Sequence, residues 1–160
     1  MFTDKHLDIV RFCAIECELQ VSGEYSVYNM VNAYEWAVEV LETTYAITLE
    51  QIQHLGALVE PGKNQTGFRK CKVWVGGNEK LAWPLINGAI SALCLTADEE
   101  ECSAEEWFHS YEDIHPFVDG NGRSGVILYN WFRGDLRLPE WPPNLWNDPR
   151  RREGHGVGHL

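Results

Sequence analysis

The sequence lacks long apolar runs and has few positive charges. It contains no stretch of about 18 consecutive apolar residues, the length that a membrane-spanning helix needs, and it does not begin with the basic-then-apolar pattern of a secretion signal. There are 13 lysine and arginine residues against 24 aspartate and glutamate residues, a formal net charge of −11. Because an acidic chain is repelled by phosphate backbones and anionic lipids, we expect no broad contact with nucleic acid or membranes. These features favour a cytoplasmic protein.

Paired cysteine motifs are also missing. The five cysteines are an odd number with no repeated C-x-x-C spacing, which indicates reduced thiols in a cytoplasm-like compartment. Cys13 and Cys17 are four residues apart and would share one face of a helix. We interpret them as two small core residues, with a metal site as the alternative.

Hydrophobic periodicity predicts a mainly helical chain. The segments with helical spacing are 4–20, 24–43, 48–59, 84–95, 103–115 and 124–133. Thr48 and Gln51 match a capping box, a reciprocal pair of hydrogen bonds that starts a helix, and Ser103 and Glu106 match a second one. In the fourth segment, the predicted buried side consists of Leu85, Ile86, Ala89, Ile90, Leu93 and Leu95.

One segment breaks the helical pattern. Residues 68–75 are rich in β-forming side chains and alternate two lysines, Lys70 and Lys72, with apolar residues. A Gly-Gly-Asn sequence at 76–78 follows, which is typical of a turn. We therefore predict a short strand or β-hairpin here.

The loop between the last two predicted helices has a composition suited to phosphate. Residues 115–123 read His-Pro-Phe-Val-Asp-Gly-Asn-Gly-Arg. Gly120 and Gly122 permit tight turns with positive φ, which direct successive backbone N–H groups toward one point. These N–H groups and the N terminus of the following helix favour the binding of an anion.

Four side chains of this loop carry different chemistry. His115 can accept a proton near neutral pH, and Asp119 offers a carboxylate to Mg²⁺. Asn121 can donate amide hydrogen bonds, and Arg123 presents a planar guanidinium to phosphate oxygens. In combination, these groups indicate a nucleotidyl-transfer site.

The loop sequence resembles the signature of the Fic (Fido) family, HPFx(D/E)GNGRxxR, and every fixed position is present through Arg123. The last position departs, because Val126 stands where the signature has a second arginine. The resemblance implies an all-α, Fic-like helical bundle with a short β-hairpin flap beside the active-site loop. We expect a single domain at 1–140 with its motif-bearing core at about 48–138. A Pro/Arg/Gly-rich tail would follow at 141–160, from which the tryptophans Trp141 and Trp146 fold back onto the body.

The resemblance also implies an activity, the Mg²⁺-dependent transfer of a nucleoside monophosphate to a Ser, Thr or Tyr hydroxyl of a target protein. AMP from ATP is the expected group. His115 would act as the general base for the attacking hydroxyl, and Asp119 would hold Mg²⁺. The residues expected to bind the phosphates are Gly120, Asn121, Gly122 and Arg123.

In the family, a segment like residues 67–77 forms the flap, and the target's own extended segment adds to it as a strand. An ordinary surface hairpin is the alternative. The predicted flap residues are Arg69, Lys70, Cys71, Lys72, Val73, Trp74, Val75, Gly76 and Gly77. The basic residues Arg69, Lys70 and Lys72 are also candidates to supply the positive charge that is missing at Val126.

Val126, in place of the second arginine, leaves three functions open. In the family, the second arginine binds the terminal phosphate of ATP and pairs with the glutamate of an inhibitory (S/T)xxxE(G/N) helix. A hydrogen bond to a charged group is worth roughly 1.5–3 kcal/mol, so its loss predicts about ten- to a hundredfold weaker nucleotide binding. Segments 96–100 and 149–154 match the inhibitory pattern poorly. The chain is thus an attenuated transferase, a pseudoenzyme that binds nucleotide or a partner, or a Doc-like kinase, and an antitoxin-like chain is a candidate regulator.

Overall fold

The computed structural model describes residues 4–20, 22–23, 25–97, 102–143 and 145. The α-helices are α1 (Asp4–Leu19), α2 (Ser26–Leu41), α3 (Leu49–Val59), α4 (Ile86–Thr96), α5 (Ala104–Ile114) and α6 (Asn121–Arg133). A two-stranded antiparallel hairpin, β1 (Trp74–Val75) and β2 (Asn78–Glu79), follows α3, and a 3-10 turn (Trp83–Leu85) precedes α4. The predicted all-α fold with a short β-hairpin is confirmed. In the described part of the chain, no helix is both long and apolar enough to cross a membrane.

Helix α6 is the central element of the bundle. All residues from Asn121 to Trp131 are buried, and α6 packs against α2, α3 and α5. A helix that is buried on every side must lie inside the core, so its polar residues need partners there. Its N terminus carries the end of the predicted phosphate loop, which therefore rests on the buried central helix.

Both predicted capping boxes are present. Thr48 Oγ1 accepts a hydrogen bond from the Gln51 N–H at 3.1 Å, and Gln51 Oε1 accepts one from the Thr48 N–H at 3.0 Å. The Ser103–Glu106 pair at the start of α5 makes the same two bonds, each at 3.1 Å. Because each box satisfies two backbone donors at a helix start, the sequence alone determines where α3 and α5 begin.

Helix α6 begins three residues earlier than predicted. Gly120, with a φ of 77°, precedes its first turn, whereas Gly122 lies inside the helix and has no positive φ. The expectation of a positive φ is therefore confirmed at Gly120 and wrong at Gly122. The weak helix propensity of glycine was misleading here, because burial of the whole helix outweighs a cost of about 1 kcal/mol.

The predicted strand over 68–75 is wrong except at its end. Only Trp74 and Val75 form β1, because Phe68 and Arg69 turn into the body and are buried. The predicted buried side of α4 is also wrong at two positions, since Leu85 and Leu95 are exposed.

The packed body continues past residue 140, where the tail was expected to begin. The Trp141 ring stacks on Phe12 with centroids 4.4 Å apart, and its Nε1 donates to Glu16 Oε2 at 2.9 Å. Leu145 is also buried. The prediction that Trp141 folds back is thus confirmed, while Trp146 lies outside the described residues.

Cys13 and Cys17 are both buried in the core, as expected from their shared helix face. Burial raises the pKa of Cys17 to about 12, and the charge of Arg123 partly opposes this shift. Both thiols are therefore protonated, core-packing groups at neutral pH.

Candidate active site

A cleft of about 750 Å³ brings residues of the predicted phosphate loop together with other parts of the chain. His115 and residues 118–123 line it from the loop, and residues 60–63 line it from the turn after α3. The connection between α1 and α2 (Gln20, Ser22 and Tyr25) and the start of α2 (Ser26 and Asn29) form a further wall. No functional signal marks these residues before the fold is known, because they match no motif.

His115 stands in an uncommon backbone conformation at the end of α5. Its φ of 50° and ψ of 65° are left-handed, and among the described residues it is the one non-glycine with a positive φ. Its N–H donates to Tyr111 O at 3.0 Å, and its carbonyl accepts from Arg69 Nε at 2.7 Å. Pro116 cannot continue the helix, so the chain turns sharply here. His115 thereby forms part of the cleft wall.

Burial, with a smaller effect from the positive charges of Lys80 and Arg69, lowers the pKa of His115 to about 4. The Asp119 carboxylate and the Glu112 backbone act in the opposite direction but do not restore the ordinary value. The imidazole is therefore neutral at pH 7. Its Nδ1 is buried and has no hydrogen-bond partner in the described part of the chain. A neutral imidazole that lines the cleft can serve as a general base.

The Asn121 side chain holds the loop rather than pointing into the cleft. Its Oδ1 accepts from the Phe117 N–H at 2.8 Å, and its Nδ2 donates to Phe117 O at 2.9 Å. What Asn121 offers an anion is its backbone N–H, which, with those of Gly122 and Arg123, lies in the first turn of α6. Donors in that turn have no acceptor within their own helix.

Asp119 is ionised and faces the cleft. Burial acts to raise its pKa, but hydrogen bonds from Lys63 and from the Gly120 N–H, together with the charge of Arg123, hold the pKa below its usual value. Its Oδ2 lies 2.7 Å from Lys63 Nζ, and its Oδ1 lies 2.8 Å from Gly120 N and 3.3 Å from Arg123 Nη2.

One carboxylate in an open cleft suits Mg²⁺, which typically takes one or two carboxylates and completes its shell with water and phosphate oxygens. No group of three or more metal-binding side chains occurs among the residues that the structure describes. Asp119 therefore fits a magnesium ion that arrives with a phosphate ligand, better than a dedicated structural metal.

Arg123 is buried, with 3% of its surface exposed, yet it is incompletely paired. Its Nη2 lies 3.0 Å from Glu60 Oε2, while Nη1 is buried and has no hydrogen-bond partner among the described residues. Leaving a buried charged donor unsatisfied is costly. Because Arg123 lines the cleft, an anion bound there would complete its hydrogen bonds.

The sequence model of the Fic/DOC family matches residues 46–133, just over half of the chain. The chain belongs to the Fic/DOC family. The matched range runs from the start of α3 to the end of α6 and so includes the hairpin and the motif loop. Fic/DOC proteins are typically transferases that carry out AMPylation or a related transfer. No curated protein matches the sequence.

The hairpin of this Fic/DOC protein lies beside the cleft. Trp74 pairs with Glu79 and Val75 with Asn78, while Gly76 and Gly77 both have positive φ, as a tight two-residue hairpin turn requires. All four strand residues are exposed, and Val75 lines the cleft. The predicted flap is therefore much shorter than residues 69–77, but its tip lies next to the motif loop.

Arg69 does not supply the charge that is missing at position 126. Its guanidinium donates to four backbone carbonyls, those of His115 (2.7 Å), Cys71 (2.8 Å), Leu81 (2.6 Å) and Ile114 (3.2 Å). It is buried and is not among the described residues that line the cleft. That hypothesis is wrong, and Arg69 instead fixes the end of α5. Lys70 and Lys72, the other two candidates, are exposed and also do not line the cleft.

Val126 is fully buried in the core and does not line the cleft. It lies one turn beyond Arg123 on a helix that is covered on all sides. The Fic/DOC motif therefore ends, in this chain, with an apolar residue that contributes to core packing and brings no charge to the site.

Three residues that contact the candidate site were missed by sequence reasoning, and all lie in the turn after α3. Glu60 pairs with Arg123, and Lys63 pairs with Asp119. Asn64 Nδ2 donates to Asp119 O at 2.8 Å and to Gly56 O at 3.1 Å, which ties the turn to the loop. Before the fold is known, the only signal at this position is the Pro-Gly pair that ends α3.

Proposed function

We propose that this Fic/DOC protein transfers a nucleoside monophosphate, AMP from Mg-ATP in the first instance, to a Ser, Thr or Tyr hydroxyl of a target protein. The observation that carries the proposal is the presence, in one cleft, of a neutral imidazole and a buried guanidinium with an unpaired N–H. The first group can accept a proton and the second can bind an anion. Transfer of a phosphorus-containing group to a hydroxyl needs both.

In the proposed reaction, the acceptor oxygen attacks the α-phosphorus while His115 takes the hydroxyl proton. A new oxygen–phosphorus bond forms as the bond to the β-phosphate oxygen breaks, and pyrophosphate leaves. The N–H groups at the start of α6 and the free Nη1 of Arg123 stabilise the negative charge on the phosphates. A magnesium ion held by Asp119 would neutralise part of the same charge.

The acceptor is proposed to bind at the hairpin. The exposed strands β1 and β2 offer backbone hydrogen bonds to an extended segment, and these bonds demand little of the partner's sequence. Because Val75 belongs to both the hairpin and the cleft wall, a strand paired there would pass close to the motif loop.

Labelled ATP tests the reaction. The protein is incubated with cell lysate and either α-³²P-ATP or γ-³²P-ATP, alongside His115→Ala and the control variant His109→Ala, whose imidazole lies on the exposed side of α5. Label from the α position alone, lost in His115→Ala and kept in His109→Ala, is the expected result. Label from the γ position alone would establish a Doc-like kinase. ATP binding without label from either position would establish a pseudoenzyme.

A further inference from the structure

Lys63 is the cation of the cleft whose charged group is most open to solvent. Its side chain is 54% exposed, and its Nζ lies 2.7 Å from Asp119 Oδ2. Lys63 lies outside the motif, in the turn that follows α3, where its backbone N–H donates to Glu60 O at 3.2 Å. It therefore reaches the motif loop from a different part of the chain.

The backbone of this turn is held in place, while the lysine side chain is exposed and has a single ion-pair partner among the described residues. Asn64, the next residue, is buried and bonds both to the loop carbonyl of Asp119 and to Gly56 in α3. An exposed ion pair such as Lys63–Asp119 adds little stability. The ammonium group can therefore exchange its partner at little cost without any change in the fold.

The charges of the cleft cancel in the absence of a ligand. The described residues that line the cleft include two cationic residues, Lys63 and Arg123, and two carboxylates, Glu60 and Asp119. Arg123 is already paired with both carboxylates, and His115 is neutral at pH 7 because its pKa is about 4. A chain of phosphates brings several negative charges, so its binding requires a cation that can turn toward it.

We propose that Lys63 binds the phosphate chain of the donor directly and is a further ligand-binding residue of this site. A lysine ammonium is a compact point charge that binds phosphate oxygens without a fixed geometry. The movement of Nζ from Asp119 to a phosphate also frees Oδ2 of that carboxylate to accept a metal ion. The inference rests on the proposed function for the identity of the donor, but not for the presence of a phosphate site.

Calorimetric titration of ATP in EDTA tests the contact without activity and without metal. Lys63→Ala is expected to bind ATP about tenfold more weakly than the wild type, because one charged hydrogen bond is lost. Lys63→Arg should remain within about threefold of the wild type, since it keeps the charge. Lys5→Ala, on the exposed surface of α1, is the control and should bind ATP unchanged. Thermal melting checks that each variant is folded. Unchanged ATP binding by Lys63→Ala would overturn the proposal, as would an equal loss of affinity for adenosine.

Inorganic pyrophosphate separates this inference from the transfer reaction. If Lys63→Ala weakens pyrophosphate binding but the wild type transfers no label from ATP, Lys63 is a phosphate ligand and the proposed function is wrong. If label is transferred but Lys63→Ala binds pyrophosphate and ATP like the wild type, the proposed function holds and the Lys63 inference is wrong. A wild-type protein that binds neither compound also overturns the inference.

Discussion

At the scale of single residues, the site depends on how the fold changes the properties of His115. A histidine in solution is half protonated near pH 6.5 and would lose part of its base function in mildly acidic buffer. Burial and the charges of Lys80 and Arg69 move the pKa of His115 down to about 4. The imidazole of the proposed base is therefore uncharged, and able to accept a proton, at all pH values near 7.

The first prediction concerns the pH dependence of transfer. Because His115 acts in its neutral form, kcat/KM should stay level from pH 8 to about pH 5.5 and fall only as the pH approaches the pKa of about 4. Initial rates of label transfer in buffers of constant ionic strength provide the measurement. An acidic limb centred near pH 6.5 would show that the histidine is not shielded as the structure indicates.

The second prediction concerns stability. The unfolded chain binds the His115 proton near pH 6.5, whereas the folded chain binds it only near pH 4. Acidification through this window therefore favours the unfolded chain, and the contribution of His115 to the free energy of unfolding is lost as the pH falls from about 6.5 to about 4. Urea denaturation at several pH values measures this slope. His115→Asn, which tolerates the left-handed backbone, should show a shallower slope than the wild type.

The third prediction concerns Arg69. Arg69→Ala removes the donor that serves the carbonyls of Ile114 and His115, which are otherwise free at the end of α5. We expect a loss of more than about 2 kcal/mol in the free energy of unfolding, measured by chemical denaturation. Lys70→Ala, at the exposed neighbouring position, should change it by less than about 0.5 kcal/mol. Equal losses in the two variants would argue against the assigned role.

At the scale of elements, the contact between α3 and the motif loop determines the shape of the site. Gly56 lies in α3 directly under the ring of Phe117, and a Cβ atom at position 56 would lie 2.1 Å from Phe117 Cζ. Phe117 in turn is bonded through its backbone to Asn121. The absence of a side chain at Gly56 thus allows the loop to rest on the helix.

The fourth prediction follows from this contact. Alanine is the better helix former by about 1 kcal/mol, but Gly56→Ala should still destabilise the protein by more than about 2 kcal/mol, because the clash must displace Phe117. ATP binding should weaken as well. Gly88→Ala in α4 is the matched control, since nothing lies within 4 Å of a Cβ there, and it should be neutral or stabilising by up to about 1 kcal/mol. Thermal and chemical unfolding of both variants provide the comparison.

At the scale of the whole molecule, the two ends of the described chain are joined. The Trp141 indole covers Phe12 of α1 and donates to the fully buried carboxylate of Glu16. Helix α1 lies outside the range that the Fic/DOC family model matches, as does Trp141. The contact between Trp141 and α1 therefore joins two segments that both lie outside the range matched by the family model.

The fifth prediction tests that contact. Trp141→Ala should lower the free energy of unfolding by about 3–5 kcal/mol, since a large buried ring is lost and a buried carboxylate loses a donor. Trp83→Ala, at a position where 42% of the side chain is exposed, should cost clearly less. If the two variants melt at the same temperature, the segment after residue 140 does not stabilise the body.

The parts of the fold that could be predicted from the sequence are those in which the interacting residues lie close together in the chain. Each capping box spans four residues, and the motif loop spans nine. The contacts that could not be predicted join distant segments. Lys63 and Asp119 are 56 residues apart, Glu60 and Arg123 are 63 apart, and Arg69 and His115 are 46 apart. Local pattern carries no information about such pairs, and only the packing of distant elements, such as α3 against α6, brings them together.

Arg69 also sets a distance on which the choice of acceptor residue would depend in the proposed reaction. Its guanidinium bonds Cys71 and Leu81, which flank the hairpin, and Ile114 and His115, at the end of α5. The hairpin tip can bend, but its base cannot move away from the imidazole without breaking these bonds. Each step along a paired strand shifts a side chain by about 3.3 Å and turns it to the opposite face. A strand that pairs with the hairpin, as proposed above, would be read by register, and its acceptor hydroxyl would be selected by position along the strand more than by the residues around it.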